Sequence, residues 1–364
     1  MKMPSLEKLL DELLVVYPTH DCVVKKDGET VARIIGRDES VHKTALTGKE
    51  KYNLYSCSKP ITCVVALTLY EKGKFSLDDD LAGYLPEFKD MSVRSGCGAF
   101  PAKNKIKVRD LFTMTAGFDY NTDSPAIRRF KADTDGKCPT SLFPKYLASE
   151  PLSFEPRTSW AYSLCHDVLV CLVEKITGEI FDDYARKVVF DPLGMKNTTY
   201  RLVSDEEKSA QYMWNETEKR PLPCGNDIKW YKFGSEYESG GAGAVSTVED
   251  YIAFLEGLRT GRIINPDTLA LMSTDMLDDC MRQTYWPKND GYGYGLGVRV
   301  PFVGSSRTDI GWGGAAGSFL ALDEKNGVSV FCSLNTLCSP ISSRRYEITD
   351  CVKKDLGLDS VKFW

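Results

Sequence analysis

The sequence predicts an α/β (α+β) fold: an antiparallel sheet flanked by helices and built from both chain ends, joined to a mostly helical lobe. Three observations carry that expectation. Residues Cys22 to Ile35 place two apolar, β-branched runs on either side of Asp27-Gly28, which reads as a β-hairpin turning there. Short apolar runs at Asp309 to Ala315, Ser318 to Leu322 and Val328 to Leu334 read as strands, the last two separated by an Asn326-Gly327 turn. Between these ends, helical patterns dominate from Leu77 to about Asp279. Residues 1–75 and 286–364 are therefore expected to form a discontinuous sheet domain and 76–285 a helical one, with a cleft between them.

Each element has its own local reason. Ser5 to Tyr17 places Leu6, Leu9, Leu10, Leu13 and Leu14 on one face and Glu7, Lys8, Asp11 and Glu12 elsewhere, which describes an amphipathic helix and not a signal peptide. The run from Ser56 to about Lys72 is apolar on almost every side, so it is expected to lie between two layers, with Gly73 as its left-handed stop. Further helices are expected at Val108 to Met114, ended by Ala116-Gly117, and at Ser163 to Thr177, ended by Gly178. Phe181 to Phe190 and Thr247 to Leu258 complete the set, the latter with Thr247, Glu249 and Asp250 at its positive end. The segments Arg94 to Asn104 and Tyr212 to Lys232 are rich in Gly, Pro and Lys and are expected to be loops that border the cleft.

Composition narrows the function classes. With 364 residues, 42% hydrophobic and 27% charged, the chain suits two packed lobes of an ordinary globular protein. A net charge of −5 supplies no basic surface for nucleic acid or anionic membrane. The apolar run from Ile61 to Tyr70 is far short of the ~20 residues of a membrane span. Twelve cysteines are scattered without a Cys-x-x-Cys pair beside only three histidines, so neither metal nor cofactor is expected. A cytoplasmic chain with free thiols fits this usage.

The candidate chemistry begins at Ser56-Cys57-Ser58-Lys59. Ser-x-x-Lys also occurs at Ser5 and Ser40, but only the Ser56 copy leads directly into a strongly apolar helix. Residues three apart on a helix share a face, so the Lys59 amine can reach the Ser56 oxygen. Burial and the positive helix terminus both favour a neutral lysine, which an acceptor of the serine proton requires. The same four residues also describe a capping serine followed by a solvated lysine. Pro60, which cannot donate back to Ser56, is expected to distort the first turn.

A wider set of motifs resolves this choice. Ser56-Cys57-Ser58-Lys59-Pro60, then Ser76-Leu77-Asp78-Asp79-Asp80 and Tyr84-Leu85-Pro86, resembles the penicillin-recognising serine hydrolases. That superfamily contains class C β-lactamases, DD-peptidases and family VIII carboxylesterases. The resemblance continues through Val108 to Gly117, with Met114 where histidine is more usual, and through Trp160-Ala161-Tyr162-Ser163-Leu164. Asp191 to Met195, Ser239-Gly240-Gly241-Ala242-Gly243 and Gly311-Trp312-Gly313-Gly314 extend it to the chain end. It implies a β-lactamase/transpeptidase-like fold and an acyl-enzyme on Ser56. Lys59 would be the partner base and Tyr162 a second acid/base, its phenol held near ionisation by Lys59. Backbone N–H groups of Ser56 and Ala315 would form the oxyanion hole. Taken alone, Tyr162 reads first as an aromatic packed at a helix start, and Gly313-Gly314 as a strand-end bulge.

Departures from the superfamily pattern bear on the substrate. Trp312-Gly313-Gly314 replaces the Lys-Thr-Gly motif of β-lactamase-like members, exchanging a cation for an apolar wall, and Leu164 replaces an asparagine that holds a substrate amide. Both resemble the esterase branch, so the expected partner is a small neutral ester, with lactams, amides and small peptides as alternatives. Leu164, Trp312, Gly313 and Gly314 are the expected pocket residues. His166, one turn after Tyr162, either touches the site or is a satisfied core histidine. A Ser-His-Asp mechanism lacks its Gly-x-Ser-x-Gly elbow. A silent binding or sensor protein is the alternative of another class, and the joint presence of Ser56, Lys59 and Tyr162 speaks for an enzyme.

Overall fold

The computed structural model describes residues 1–96, 98–225, 231–285 and 291–358. Seven strands form the continuous path of its nine-stranded main sheet: β1 (Thr19–Lys26), β2 (Glu29–Arg37), β3 (Tyr292–Tyr294), β4 (Arg299–Pro301), β5 (Ile310–Gly313), β6 (Gly317–Asp323) and β7 (Val328–Leu337). Their order is β2-β1-β7-β6-β5-β4-β3, every pair antiparallel. Both chain ends thus build one sheet, as expected. Asp27 and Gly28 take φ of 51° and 90°, which the two-residue hairpin turn requires and which glycine adopts freely.

Side-chain alternation gives the sheet two buried faces. On β1 and β7, Cys22, Val24, Val330 and Cys332 face one side, where Leu6, Leu9, Leu10 and Leu13 of α1 (Pro4–Leu13) cover them. Ile348 and Val352 of the C-terminal helix Glu347–Asp355 complete that layer. Val23, Leu320 and Phe331 point the other way, into a larger core shared with the helices of the middle of the chain.

At the centre of that core runs α2 (Ser58–Glu71), whose residues Ser58 to Leu69 are all buried. Its apolarity on all sides has this cause: α3 (Cys165–Thr177) and the stretch 181–190 pack against it, inside a core that the inner face of the sheet also joins. Gly73, at φ 64°, follows the last turn. The helix does not begin at Ser56. Tyr55–Cys57 form a tighter 3₁₀ turn, and α-helical geometry starts at Ser58, which leaves Pro60 in the first turn where its missing N–H costs little.

Other expected helices appear with small shifts. α3 starts at Cys165, and Val108–Thr113 ends on Met114 in left-handed geometry (φ 58°) ahead of Gly117. Phe181–Ala185 continues as a wider π-helical turn, Arg186–Phe190. α4 (Val248–Arg259) is capped by the Thr247 hydroxyl, which accepts from the Asp250 N–H. The two segments read as loops both carry hairpins. Ser92–Ser95 pairs with Gly98–Pro101, while Gln211–Asn215 pairs with Arg220–Cys224 and runs parallel to β7. Sequence-local patterning gave no sign of this second hairpin because its edge is completed by a strand more than a hundred residues away. Residues 226–230 of the expected second loop lie outside the described residues.

Phe331 couples the sheet to α4 and to the Ser56 turn. Its ring stacks on Tyr251 at 4.1 Å and 12°, and the Tyr251 hydroxyl donates to the Cys57 carbonyl at 2.6 Å. Phe331→Ala is expected to lower the unfolding free energy by about 3–5 kcal/mol through cavity formation, read as a lower urea midpoint with an unchanged slope. A loss under about 1 kcal/mol would show that the stack carries little of the core.

Candidate active site

Three segments meet at Ser56, and each is held by backbone contacts. Leu54 N–H donates to the Ala244 carbonyl at 2.9 Å, and Ala244 N–H donates to the Ser58 hydroxyl at 3.0 Å. The Tyr200 hydroxyl donates to the Ser58 carbonyl at 2.9 Å, and Tyr55 OH to Gln211 Oε1 at 2.6 Å. These contacts hold Tyr55 at φ 49°, a conformation costly for a bulky residue. A strained residue immediately before Ser56, pinned on several sides, fixes the direction of the serine side chain.

The Ser56 hydroxyl is hydrogen-bonded to the Tyr162 hydroxyl, and Lys59 Nζ lies 3.4 Å from Ser56 Oγ. Lys59 is fully buried, donates to the Gly241 carbonyl at 2.6 Å, and sits 4.4 Å over the Tyr162 ring. Gly241 is glycine for a steric reason: a Cβ there would come within 2.8 Å of Asp167 Oδ2 and 3.3 Å of Lys59 Nζ. Burial pulls the Lys59 amine down to about 7, while the nearby Asp167 carboxylate opposes the shift.

Tyr162 behaves differently from the expectation. Burial raises its phenol well above the ordinary value, and hydrogen bonds to Ser56 and the Trp312 indole only partly offset this. The phenol is therefore not held near ionisation by Lys59, because the amine lies over the ring and, brought down to about 7, carries a full charge only part of the time at neutral pH. Of the two groups, the lysine is the one tuned to accept a proton at neutral pH.

A cavity of about 640 Å³ opens on Ser56, lined by Tyr120, Tyr162, Tyr231, Trp312, Gly313, Gly314, Ala315 and Arg345 among others. Tyr162 is sandwiched between Tyr120 at 5.1 Å and Trp312 at 6.1 Å, both rings nearly parallel to it. Trp312, Gly313, Gly314 and Ala315 line the cavity with Ser56. Two anticipated pocket residues do not. Leu164 is 2% exposed in the central core, because its place at the start of α3 points inward. His166 is fully buried, with Nε2 at 3.2 Å from the Phe112 carbonyl and 3.5 Å from Cys63 Sγ, and burial pushes it down to about 3. It is a neutral core histidine. A separate cavity of about 700 Å³, lined by Leu202, Lys208 and Phe233 among others, shares no lining residue with the cavity at Ser56.

Several cavity residues escaped the sequence reading. Tyr120 and Tyr231 stand alone in their segments, and Arg345 lies beyond the last strand, where no motif marks it. Arg307, the cation nearest Trp312 in sequence, instead pairs with Asp350 at 2.6 Å. Of the two hairpin segments expected at the cleft, only the second reaches it, through Tyr231. Among the described residues no cluster of His, Cys, Asp and Glu is arranged to hold a metal ion, and no helix is long and apolar enough to cross a membrane.

The family model "Beta-lactamase" matches residues 22–346. The chain belongs to the beta-lactamase family. It is accordingly a serine hydrolase, in line with the esterase and hydrolase among its relatives. Esterase EstB of Burkholderia gladioli is 28% identical over 320 residues, covering 78% of this chain and 77% of that protein. The ML-236A carboxylate methylbutanoyltransferase of Penicillium citrinum is 26% identical over 259 residues, covering 68% of this chain and 61% of that one. Within the same family fold, EstCE1, a hydrolase with promiscuous acyltransferase activity, superposes with a TM-score of 0.80 at 24% identity, over 96% of this chain and 97% of its own.

The cysteines of this family member test the packing around the site. Cys57, Cys63 and Cys165 are buried and burial pushes each thiol up, Cys57 and Cys165 to about 12, whereas Cys280 and Cys338 are exposed. A thiol reagent at pH 7.5 is expected to label Cys280 and Cys338 in the native protein and to spare those three, as read by peptide mass mapping. Rapid labelling of Cys57 would show that the Ser56 turn is open.

Proposed function

We propose that the protein is a carboxylesterase working through an acyl-enzyme on Ser56, in a cleft between the sheet part (1–75 with 286–364) and the helical part (76–285). The observation that carries this reading is the contact of the Ser56 hydroxyl with both a buried Lys59, whose proton affinity is lowered to about 7, and a protonated Tyr162. Lys59 takes the serine proton as Oγ attacks the ester carbonyl. The oxyanion is received by the N–H groups of Ser56 and Ala315. As the bond to the leaving alkoxide breaks, Tyr162 gives it a proton and is recharged from the Lys59 ammonium. Water then repeats the sequence in reverse to release the acid and restore Ser56.

The substrate class follows from the lining. Five aromatic rings, those of Tyr120, Tyr162, Tyr231, Trp312 and Tyr346, border the cavity and favour apolar acyl or alcohol groups over strongly hydrated ones. Leu164 is withdrawn into the core, so no side chain at that point holds a substrate amide. The esterase named among the relatives supports the same choice of ester over lactam or amide.

Ser56→Ala is expected to lower kcat/KM for p-nitrophenyl butyrate by at least ~10³ and to abolish the mass adduct formed with a fluorophosphonate. No adduct and no ester hydrolysis by the parent protein would sink the reading, and a clear preference for nitrocefin over p-nitrophenyl esters would move it to the lactamase branch. Because Lys59 must be unprotonated to act and its amine is held at about 7, kcat/KM is expected to fall as pH drops through that value and to level off above it. Lys59→Arg, charged at every accessible pH, is expected to lose at least ~10³ in kcat/KM with the melting temperature measured alongside. A pH-independent kcat/KM between pH 6 and 8 would remove Lys59 from the role of base.

A further inference from the structure

Arg345 is an unusual neighbour for an aromatic ester pocket. It lines the cavity beside Gly313, Gly314 and Ala315, yet among the described residues no carboxylate lies within ion-pair distance of it. Its Nη1 donates instead to the Gly314 carbonyl at 2.6 Å, its Nη2 is 3.5 Å from the Tyr346 hydroxyl, and its Nε is buried without a partner. A partly buried guanidinium with no carboxylate beside it loses hydration without an ion pair to offset the loss, so its placement calls for a compensating use.

The geometry supplies one. Gly314 C=O and Ala315 N–H belong to a single planar peptide unit, so anchoring the oxygen sets the direction of the hydrogen. The same oxygen also accepts from Gly317 N–H at 3.0 Å, and the preceding peptide is anchored where Gly314 N–H donates to the Ser318 carbonyl at 2.7 Å. Gly313 makes room for the guanidinium: a Cβ there would lie 2.7 Å from Arg345 Cζ. We infer that Arg345 is a positioning residue that locks the Gly314–Ala315 peptide with its N–H toward the Ser56 carbonyl adduct, and that its charge stabilises the oxyanion received there. This rests on the acyl-enzyme reading given above. It also explains how a cation borders the cavity while neutral esters remain the preferred substrates: the guanidinium is engaged by the backbone and leaves the acyl group to the aromatic walls.

The test is a kcat-against-KM split on Arg345→Met and Gly313→Ala. The second variant keeps the charge but displaces the guanidinium, so it decides the matter if the first does not fold. Both are expected to lower kcat by about 10- to 100-fold with KM within about twofold, alike for p-nitrophenyl butyrate and for a carboxylate-bearing p-nitrophenyl ester. Affinity for a neutral trifluoromethyl ketone, whose adduct on Ser56 carries the oxyanion, is expected to fall by the same factor. Guanidinium at sub-denaturing concentration is expected to restore part of the rate of Arg345→Ala, with urea as the neutral control. A loss confined to KM for the carboxylate-bearing ester would overturn the inference and make Arg345 a substrate-carboxylate ligand. Unchanged kcat in folded variants would overturn it outright, while the esterase reading stands. Absence of Ser56-dependent turnover in the parent protein would remove both.

Discussion

Burial of one amine organises this molecule. Lys59 lies without solvent contact at the start of a helix that is itself enclosed on both flanks, and the cost of charging it there brings its proton affinity down to about 7. Everything that makes Lys59 useful also makes it expensive, so the surrounding structure over-determines its place. The Gly241 carbonyl accepts from it, Asp167 keeps the shift from running further, and the Tyr162 ring covers it. α3 and the stretch 181–190, packed against α2, keep that amine from water.

A second constraint acts at the rim. Ser56 stands on a 3₁₀ turn preceded by a residue in left-handed geometry, and that strain is sustained by Gln211, Ala244 and Tyr251 from three distant segments. Opposite it, the Gly313-Gly314 edge is shaped by close approaches: a Cβ on Gly314 would come within 2.6 Å of the Leu54 carbonyl. The nucleophile and the strand edge are thus fitted to each other through backbone rather than through flexible side chains. Rigid backbone placement is what catalysis by preorganised dipoles demands.

Family membership and site chemistry speak to different questions. The family match and the relatives establish a serine hydrolase fold, while the choice of ester over lactam rests on the rings around the cavity and on the absence of an amide-holding residue at Leu164. The correction at Tyr162 matters here. A phenol raised by burial is a proton donor and relay, which leaves Lys59 as the only member of the pair suited to begin the reaction at neutral pH.

Local patterning in the sequence determined what depends on near neighbours. The Asp27-Gly28 hairpin, the all-round apolarity of α2, the Gly73 and Gly178 stops and the Thr247 cap follow from periodicity and turn chemistry, and each stands where expected within a residue or two. The grouping of Ser56, Lys59 and Tyr162 was legible through motif resemblance, because those residues keep fixed spacing to recognisable helix starts. Tertiary structure alone decided the rest. Leu164 and His166 sit beside Tyr162 in sequence, yet the inward face of α3 buries both, whereas Arg345 and Tyr120, far apart along the chain, meet at the same cavity. The physical reason is that orientation, desolvation and the company a charge keeps are set by packing between segments, which no local pattern records.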